Sequence, residues 1–368
     1  MRILIVTNLF PDRRLPAFGT FVASHAVAVE KLGAEVRVVS VRGIPAHRAV
    51  LRKYAWLSVR TIMSALAARL MRRPADVVEA HIAYPTALPA WVAARIMGSR
   101  LVIYCHGSDV TGDGADGVTR LVAGSPTHYR LARRVFASAD LMVANSRFVA
   151  NVLRARFGVD ARKVAVVSPG IDFQLFFRSG ASGPRQGIVY VGRLARGKGV
   201  YELLSAVSLL DPRPPMTFVG DGPERSELEA AAEAAGVEVT FLGGRQPSDV
   251  AAAMGHAAVV AVPSVYPEGL GLVALEAMAA GALVVASSVG GLAESVVAGR
   301  TGWSVPPGDI PALAAALSEA LAAASGSDPL PRSAVQDRAR RKARQHDAAN
   351  VARQVLRHYE SLTAASRA

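Results

Sequence analysis

The sequence predicts an α/β protein built from two Rossmann-like, doubly wound parallel-sheet domains, and three observations carry that reading. The first is length: 368 residues exceed what one ordinary core accommodates and suit two domains of Rossmann size. The second is composition. Hydrophobic residues make up 51% of the chain and charged ones 19%, which excludes disorder, while no apolar run reaches the roughly 20 residues that cross a bilayer. The third is pattern: short continuous apolar runs alternate with helical stretches, as a parallel sheet covered on both faces requires.

The first domain is expected over residues 1–172, with strands at Arg2–Thr7, 34–40, 76–80, Arg100–Cys105, 140–144 and 164–167. The opening apolar segment is too short for a signal peptide and reads as the first buried strand, so a cytoplasmic location is expected. A proline-bearing loop, 8–19, then ends in Gly19-Thr20 ahead of an amphipathic helix at about 21–32. This is not the Gly-x-Gly-x-x-Gly turn of a dinucleotide site, but it stands at the carboxyl end of a strand, where a doubly wound fold binds ligands. Two readings of it stand: a phosphate-approaching loop or a plain strand-to-helix turn.

Arg42 to Arg73 holds eight Lys/Arg and no acid, with Tyr54, Trp56, Leu57, Ile62, Met63, Leu66 and Leu70 interleaved. It reads either as an interfacial helix for an anionic membrane or acceptor, or as a solvated helix with one packed face. The charge is lopsided. Residues 1–170 carry 24 Lys/Arg and 10 Asp/Glu, a net +14, against −1 for the remainder, so only the first domain is suited to an anionic partner. The single cysteine, Cys105, excludes internal disulfides and reads as a small buried hydrophobe. Next to it, His106-Gly-Ser-Asp109 ends a buried strand. A histidine there is a candidate functional group, with Asp109 placed to fix its tautomer. The glycine-rich stretch 111–124 reads as a mobile loop.

A Ser/Gly/Pro-rich linker at 178–186 leads into the second domain, 173–348, with strands expected at 188–191, Met216–Val219, 237–242, Ala257–Val262, 283–286 and 302–305. After the first of these stands Gly192-Arg193-Leu-Ala-Arg196-Gly-Lys198-Gly199. Cations in a glycine-punctuated loop that opens a helix make a diphosphate clamp: Arg offers a bidentate fork and Lys a movable point charge. The spacing is not that of a Walker loop. The densest stretch is 263–281, Pro-Ser-Val-Tyr-Pro-Glu268-Gly-Leu270-Gly271-Leu272-Val-Ala-Leu-Glu276-Ala-Met-Ala-Ala-Gly, which reads strand end, glycine loop, helix. The unpaired N–H groups of such a helix start, with the positive end of its dipole, hold phosphate. Glu268 and Glu276 lie eight residues apart, just over two helical turns, and a carboxylate that accepts two hydroxyls is a natural partner for the vicinal diol of a sugar or ribose.

Together with the loop at Gly19, His106-Gly-Ser-Asp109, Gly192-Arg193 with Lys198-Gly199, and Gly220-Asp-Gly-Pro223, this Glu-x7-Glu element resembles the retaining GT-B glycosyltransferases of the family-four type, over essentially the whole chain. The resemblance implies two Rossmann-like domains facing a central cleft, the first receiving the acceptor and the second the nucleotide-sugar donor. It implies that Gly19, Thr20, Arg193, Lys198 and the segment Leu270, Gly271 and Leu272 hold the donor diphosphate. Glu276 then holds the ribose, Glu268 and His106, with Asp109, the transferred sugar, and the main chain of Gly243, Gly244 and Arg245 the base. It also implies that the last helix, about 349–368, packs back on the first domain. The pattern suits UDP, GDP, TDP or ADP alike. An Asp-x-Asp metal motif is missing and cations are already in place, so divalent metal is expected to be dispensable. The expected acceptor is a lipid-linked or anionic saccharide, with the enzyme peripheral on the inner face of the membrane. Three other readings remain: a soluble acceptor, a nucleotide-sugar epimerase on the same fold, and a nucleic-acid-binding protein, suggested by the pI near 10.5 but lacking any recognisable module.

Overall fold

Residues 1–11, 19–41, 50–111, 124–180, 185–326 and 332–364 are described by the computed structural model. The chain divides into two units, Met1–Gly170 with Ala348–Ala368, and Ile171–Asp347. The first crossing therefore falls two residues before the expected one. In the first unit six parallel strands, β1 (Arg2–Thr7), β2 (Glu35–Ser40), β3 (Val77–His81), β4 (Arg100–Cys105), β5 (Leu141–Ala144) and β6 (Val164–Val166), lie in the order β2-β1-β3-β4-β5-β6. In the second, β7 (Gln186–Val191), β8 (Met216–Val219), β9 (Val239–Gly243), β10 (Ala257–Val262), β11 (Leu283–Ser287) and β12 (Trp303–Val305) lie in the order β12-β11-β10-β7-β8-β9.

Side chains alternate between the two faces of each sheet, so the inner strands feed two cores. In the first unit Leu4, Val6, Val78 and Ile103 enter one core, and Ile3, Ile5, Val77 and Val102 the other. That second core is completed by the helix Thr20–Lys31 through Val22 and Val29, and by the C-terminal helix Ala348–Ala364 through Val351, Ala352, Val355 and Tyr359. These four positions lie on one helical face, and burying each larger side chain contributes about 1.5–3 kcal/mol. The last helix thus belongs to the first unit because its apolar stripe completes that core.

Both sheets place their first strand inside: β1 lies between β2 and β3, and β7 between β10 and β8. The strand order reverses there, which opens a crevice at the carboxyl ends. The candidate residues gather at these ends.

Helix Val50–Leu70 presents two faces. Leu57, Thr61 and Ala65 are buried, while Trp56, Val59, Met63, Leu66 and Leu70, three or four residues apart, are exposed. Arg52, Arg69, Arg72 and Arg73 are also exposed, whereas Lys53 is buried. The head of the basic stretch, 42–49, lies outside the described residues, as do 12–18 of the first loop, 112–123 of the glycine-rich stretch and 181–184 of the linker. No helix among the described residues is long and apolar enough to cross a membrane.

Candidate active site

In the second unit, segments leaving β7, β8, β10 and β11 are stitched together main chain to main chain. Val265 and Tyr266 donate their N–H groups to the Gly197 carbonyl at 3.1 and 3.2 Å, Leu194 N–H donates to Asp221 O at 3.0 Å, and Gly291 N–H to Glu268 O at 2.8 Å. Such close approach demands glycine. Gly199 has φ +72°, and a side chain there would run into the Pro263 carbonyl.

Within this frame Lys198 Nζ lies 2.9 Å from Glu268 Oε1, which also accepts the Ser264 hydroxyl. The sequence assigned Lys198 to the diphosphate and Glu268 to the sugar; the structure brings the two together as an ion pair. The Lys198 side chain is 41% exposed and that of Glu268 17%. An ion pair this open is worth about 0–1 kcal/mol, so a ligand can recruit either partner cheaply. Arg193 is exposed, and its carbonyl accepts from the Tyr190 hydroxyl at 2.8 Å. Arg196 instead pairs with Glu224 at 3.2 Å and Glu227 at 3.1 Å, over the Tyr201 ring.

Gly271 caps the helix Leu272–Ala280 in the left-handed region, with Leu270 buried beside it. The N–H groups of Leu272 and Val273 open that helix without intrahelical acceptors, at the positive end of its dipole. Glu276 stands one turn further along, half-buried and without a side-chain partner among the described residues; burial pushes its carboxyl up to about 7. Gly243 ends β9, two strands from β7, and its carbonyl accepts from Gly220 N–H at 2.9 Å, while Gly244 and Arg245 are exposed.

In the first unit Asp109 behaves differently from the expectation. Its Oδ1 accepts from the main-chain N–H of His106 at 2.9 Å and its Oδ2 from that of Ala83 at 2.8 Å. The carboxylate clamps the loop after β4 to the loop after β3 and does not set the imidazole tautomer. Its short side chain, buried in the turn Ser108–Thr111, reaches backbone donors first, and burial raises it to about 6. The His106 carbonyl accepts from Asn145 Nδ2 at 2.8 Å. The ring itself is held by other rings, with Phe21 at 4.6 Å and His81 at 5.4 Å between centroids. Burial holds the imidazole well below its ordinary pKa, so it is neutral, and its Nε2 is buried without a partner among the described residues. Gly19, in the left-handed region, starts the helix that carries Thr20 and then Phe21, which places Gly19 and Thr20 beside His106. Cys105 is buried, as expected.

One cluster escaped the sequence reading. Glu79, fully buried in β3, accepts on Oε2 from His25 Nε2 at 3.0 Å and His81 Nε2 at 2.9 Å, and on Oε1 from the Tyr359 hydroxyl at 2.8 Å. The available signal was Glu79-Ala-His81, two polar residues on one face of an apolar strand. The three ligand-type atoms lie within 4.8 Å of one another, the spacing of a metal site. Yet both imidazoles point at one carboxylate oxygen, and His81 Nδ1 has no partner among the described residues. A metal-bound histidine ordinarily donates its other N–H to an acceptor, so the group reads as a closed hydrogen-bonded cluster.

Comparison with known proteins gives the family. Residues 172–342 match the family description "Glycosyl transferases group 1", and residues 18–175 match "Glycosyltransferase Family 4". A GDP-mannose-dependent α-(1-6)-phosphatidylinositol monomannoside mannosyltransferase of Mycolicibacterium smegmatis is 30% identical over 354 residues, covering 87% of this chain and 89% of that one. The chain belongs to the group 1 glycosyltransferases. A glycogen synthase of Mycobacterium tuberculosis is 32% identical over 261 residues, which span 67% of this chain but only 60% of the synthase. Among solved structures, Anabaena HepE in complex with UDP and glucose superposes with a TM-score of 0.76 at 22% identity, covering 98% of this chain and 100% of that one. This likeness shows the GT-B fold. The glycosyltransferase family models meet across residues 172–175, beside the crossing at Gly170 and Ile171.

Proposed function

We propose that this group 1 glycosyltransferase moves a sugar from a nucleoside-diphosphate sugar to a lipid-linked or anionic saccharide, with retention of anomeric configuration. The observation that carries the reading is the Lys198–Glu268 pair at the mouth of the β7 and β10 loops, beside the open helix start at Gly271 and the partnerless Glu276. Departure of the nucleoside diphosphate builds negative charge on the β-phosphate and positive charge on the anomeric carbon. Arg193, Lys198 and the N–H groups of Leu272 and Val273 meet the phosphate. Glu268, released from Lys198, takes donor-sugar hydroxyls, Glu276 takes the ribose diol, and neutral His106 serves the transferred sugar. The leaving phosphate takes the acceptor proton on the same face. Arg193 and Lys198 supply the positive charge that a divalent ion supplies elsewhere, so chelation with EDTA leaves turnover unchanged.

The acceptor assignment is supported by charge and surface. The first unit carries 27 Lys/Arg and 11 Asp/Glu, a net +16, against −3 for the second. Its helix Val50–Leu70 shows an apolar stripe flanked by arginines, a pattern suited to lying on an anionic leaflet. The M. smegmatis relative, named for a phosphatidylinositol monomannoside, points the same way.

The deciding experiment is a thermal-shift panel with UDP, GDP, TDP and ADP, followed by nuclear magnetic resonance of the product linkage formed from the matching donor. A nucleotide at 100 times its dissociation constant stabilises by about 2.7 kcal/mol. A shift with none of the four removes the donor assignment, and an inverted linkage removes retention.

A further inference from the structure

We propose that Glu79 is a positioning residue for transfer: it fixes the ring plane of His81 and, through stacking, that of His106. The inference rests on the reading that His106 serves the transferred sugar.

Three observations carry it. First, the ring of His106 has no hydrogen-bonding tether of its own at Nε2, while Asp109 and Asn145 hold only its main chain. Rotation about the bond to an imidazole is broad and roughly two-fold, so ring contacts decide where Nε2 points. Second, those contacts form a stack. Tyr104 and His81 lie 4.2 Å apart at 9°, and His81 and His106 5.4 Å apart at 19°. Third, the middle ring of that stack is locked by a charge. Burial alone would raise the Glu79 carboxyl, but the two donating imidazoles outweigh it and hold the group ionised. A carboxylate in the third of six strands is costly to bury, and an apolar residue of similar size there would cost less. Its presence points to a task other than stability. The bond from His81 Nε2 to Glu79 Oε2 fixes the His81 ring plane, on which the His106 ring lies.

Two variants of the same carboxylate cluster separate positioning from support. Glu79→Gln loses the charge that orients His81. Tyr359→Phe removes the third donor, on Oε1, and the partner of the Tyr104 hydroxyl, and leaves both imidazole bonds in place. Nucleoside diphosphate release from the donor identified by the thermal-shift panel gives kcat and KM, and selective ¹⁵N labelling of histidine gives the state of the His106 ring without any turnover. The expected result is that Glu79→Gln lowers kcat about 10- to 100-fold with donor KM changed less than about threefold, and alters the His106 ¹⁵N shifts. Tyr359→Phe is expected to lower Tm yet keep kcat within about threefold. If Glu79→Gln does not fold, His81→Phe, which keeps a flat ring but loses the tie to the carboxylate, takes its place with the same expectations. Losses of kcat that simply follow Tm in both variants overturn the proposal, as does a Glu79→Gln protein with unchanged kcat and unchanged His106 shifts. Altered His106 shifts with unchanged kcat instead remove His106 from the reaction, and with it the reading of the site. One equivalent of zinc retained by the purified protein and lost in Glu79→Gln would make the cluster a metal site and overturn the proposal.

Discussion

At the proposed ribose position, Glu276 carries a cost of burial that its proposed role would offset. Its carboxyl is raised to about 7 by burial, above its value in an unfolded chain, so the folded state binds the proton more tightly and stability falls as pH rises from the ordinary carboxylate range through about 7, then levels off. A ribose diol donating two hydrogen bonds favours the ionised form. Nucleoside diphosphate affinity should therefore weaken as pH drops below about 7, and Glu276→Gln should flatten that dependence in calorimetric titration while weakening binding above pH 7. The same variant, relieved of a buried charge, should melt several degrees higher than wild type at pH 8 and little higher at pH 5. A lower Tm at pH 8 would show that Glu276 supports the fold. On the adjoining loop, Arg193→Ala and Lys198→Ala each remove a proposed charge-assisted contact worth about 1.5–3 kcal/mol, so each should weaken the diphosphate roughly 10- to 150-fold. Glu268→Gln should leave that affinity nearly intact and depress turnover, because its proposed partner is the sugar. Equal loss of nucleotide affinity in Glu268→Gln and Lys198→Ala would mean that their ion pair, not the division of labour, shapes the site.

The helix Val50–Leu70 has its own logic as an element. Its inner face is anchored through Leu57 and Ala65, which leaves Trp56, Val59, Met63, Leu66 and Leu70 in a stripe that the first unit does not cover. Each Lys or Arg near an anionic surface contributes about 1 kcal/mol, and the apolar stripe adds to this. The protein should cosediment with vesicles containing anionic lipid at low salt and release at high salt. Changing Arg52, Arg69, Arg72 and Arg73 to Gln should cut binding at low salt by at least tenfold, and changing Trp56, Met63 and Leu70 to Ser should cut it further. Lys53 does not belong in such a set, since it is buried in the helix's inner face. Binding that survives both sets of changes would move the acceptor to a soluble saccharide.

For the whole molecule, the two units have separate cores, and the C-terminal helix serves only the first. Ending the chain after Asp347 removes Val351, Ala352, Val355 and Tyr359 from the core they share with β1 and β3, and takes the Tyr359 donor from Glu79. The truncated chain should lose first-unit stability, with protection from limited proteolysis falling across residues 1–170. The second unit should keep its nucleoside diphosphate affinity within about threefold, since Arg193, Lys198, the helix start at Gly271, Glu276 and their core lie within Ile171–Asp347. Loss of nucleotide binding on truncation would show that the donor site depends on the first unit.

The amino-acid sequence by itself determined the two-sheet architecture and the glycine loops that carry the candidate site. Buried parallel strands must be nearly continuous apolar runs, and all twelve strands stand within two residues of where those runs predict them. Glycine loops are equally local: the left-handed backbone at Gly199 and Gly271 is a property of those residues and their neighbours in sequence. What tertiary structure alone decided were relations between distant residues. Lys198 and Glu268 are 70 positions apart and form one ion pair, and Tyr359 reaches Glu79 across 280. Asp109, three residues from His106, looked like its tautomer partner, yet a short side chain in a tight turn reaches main-chain donors instead. Spacing along the chain fixes which face of a strand or helix a residue occupies, but which of two nearby donors a buried carboxylate takes depends on backbone geometry that spacing does not encode.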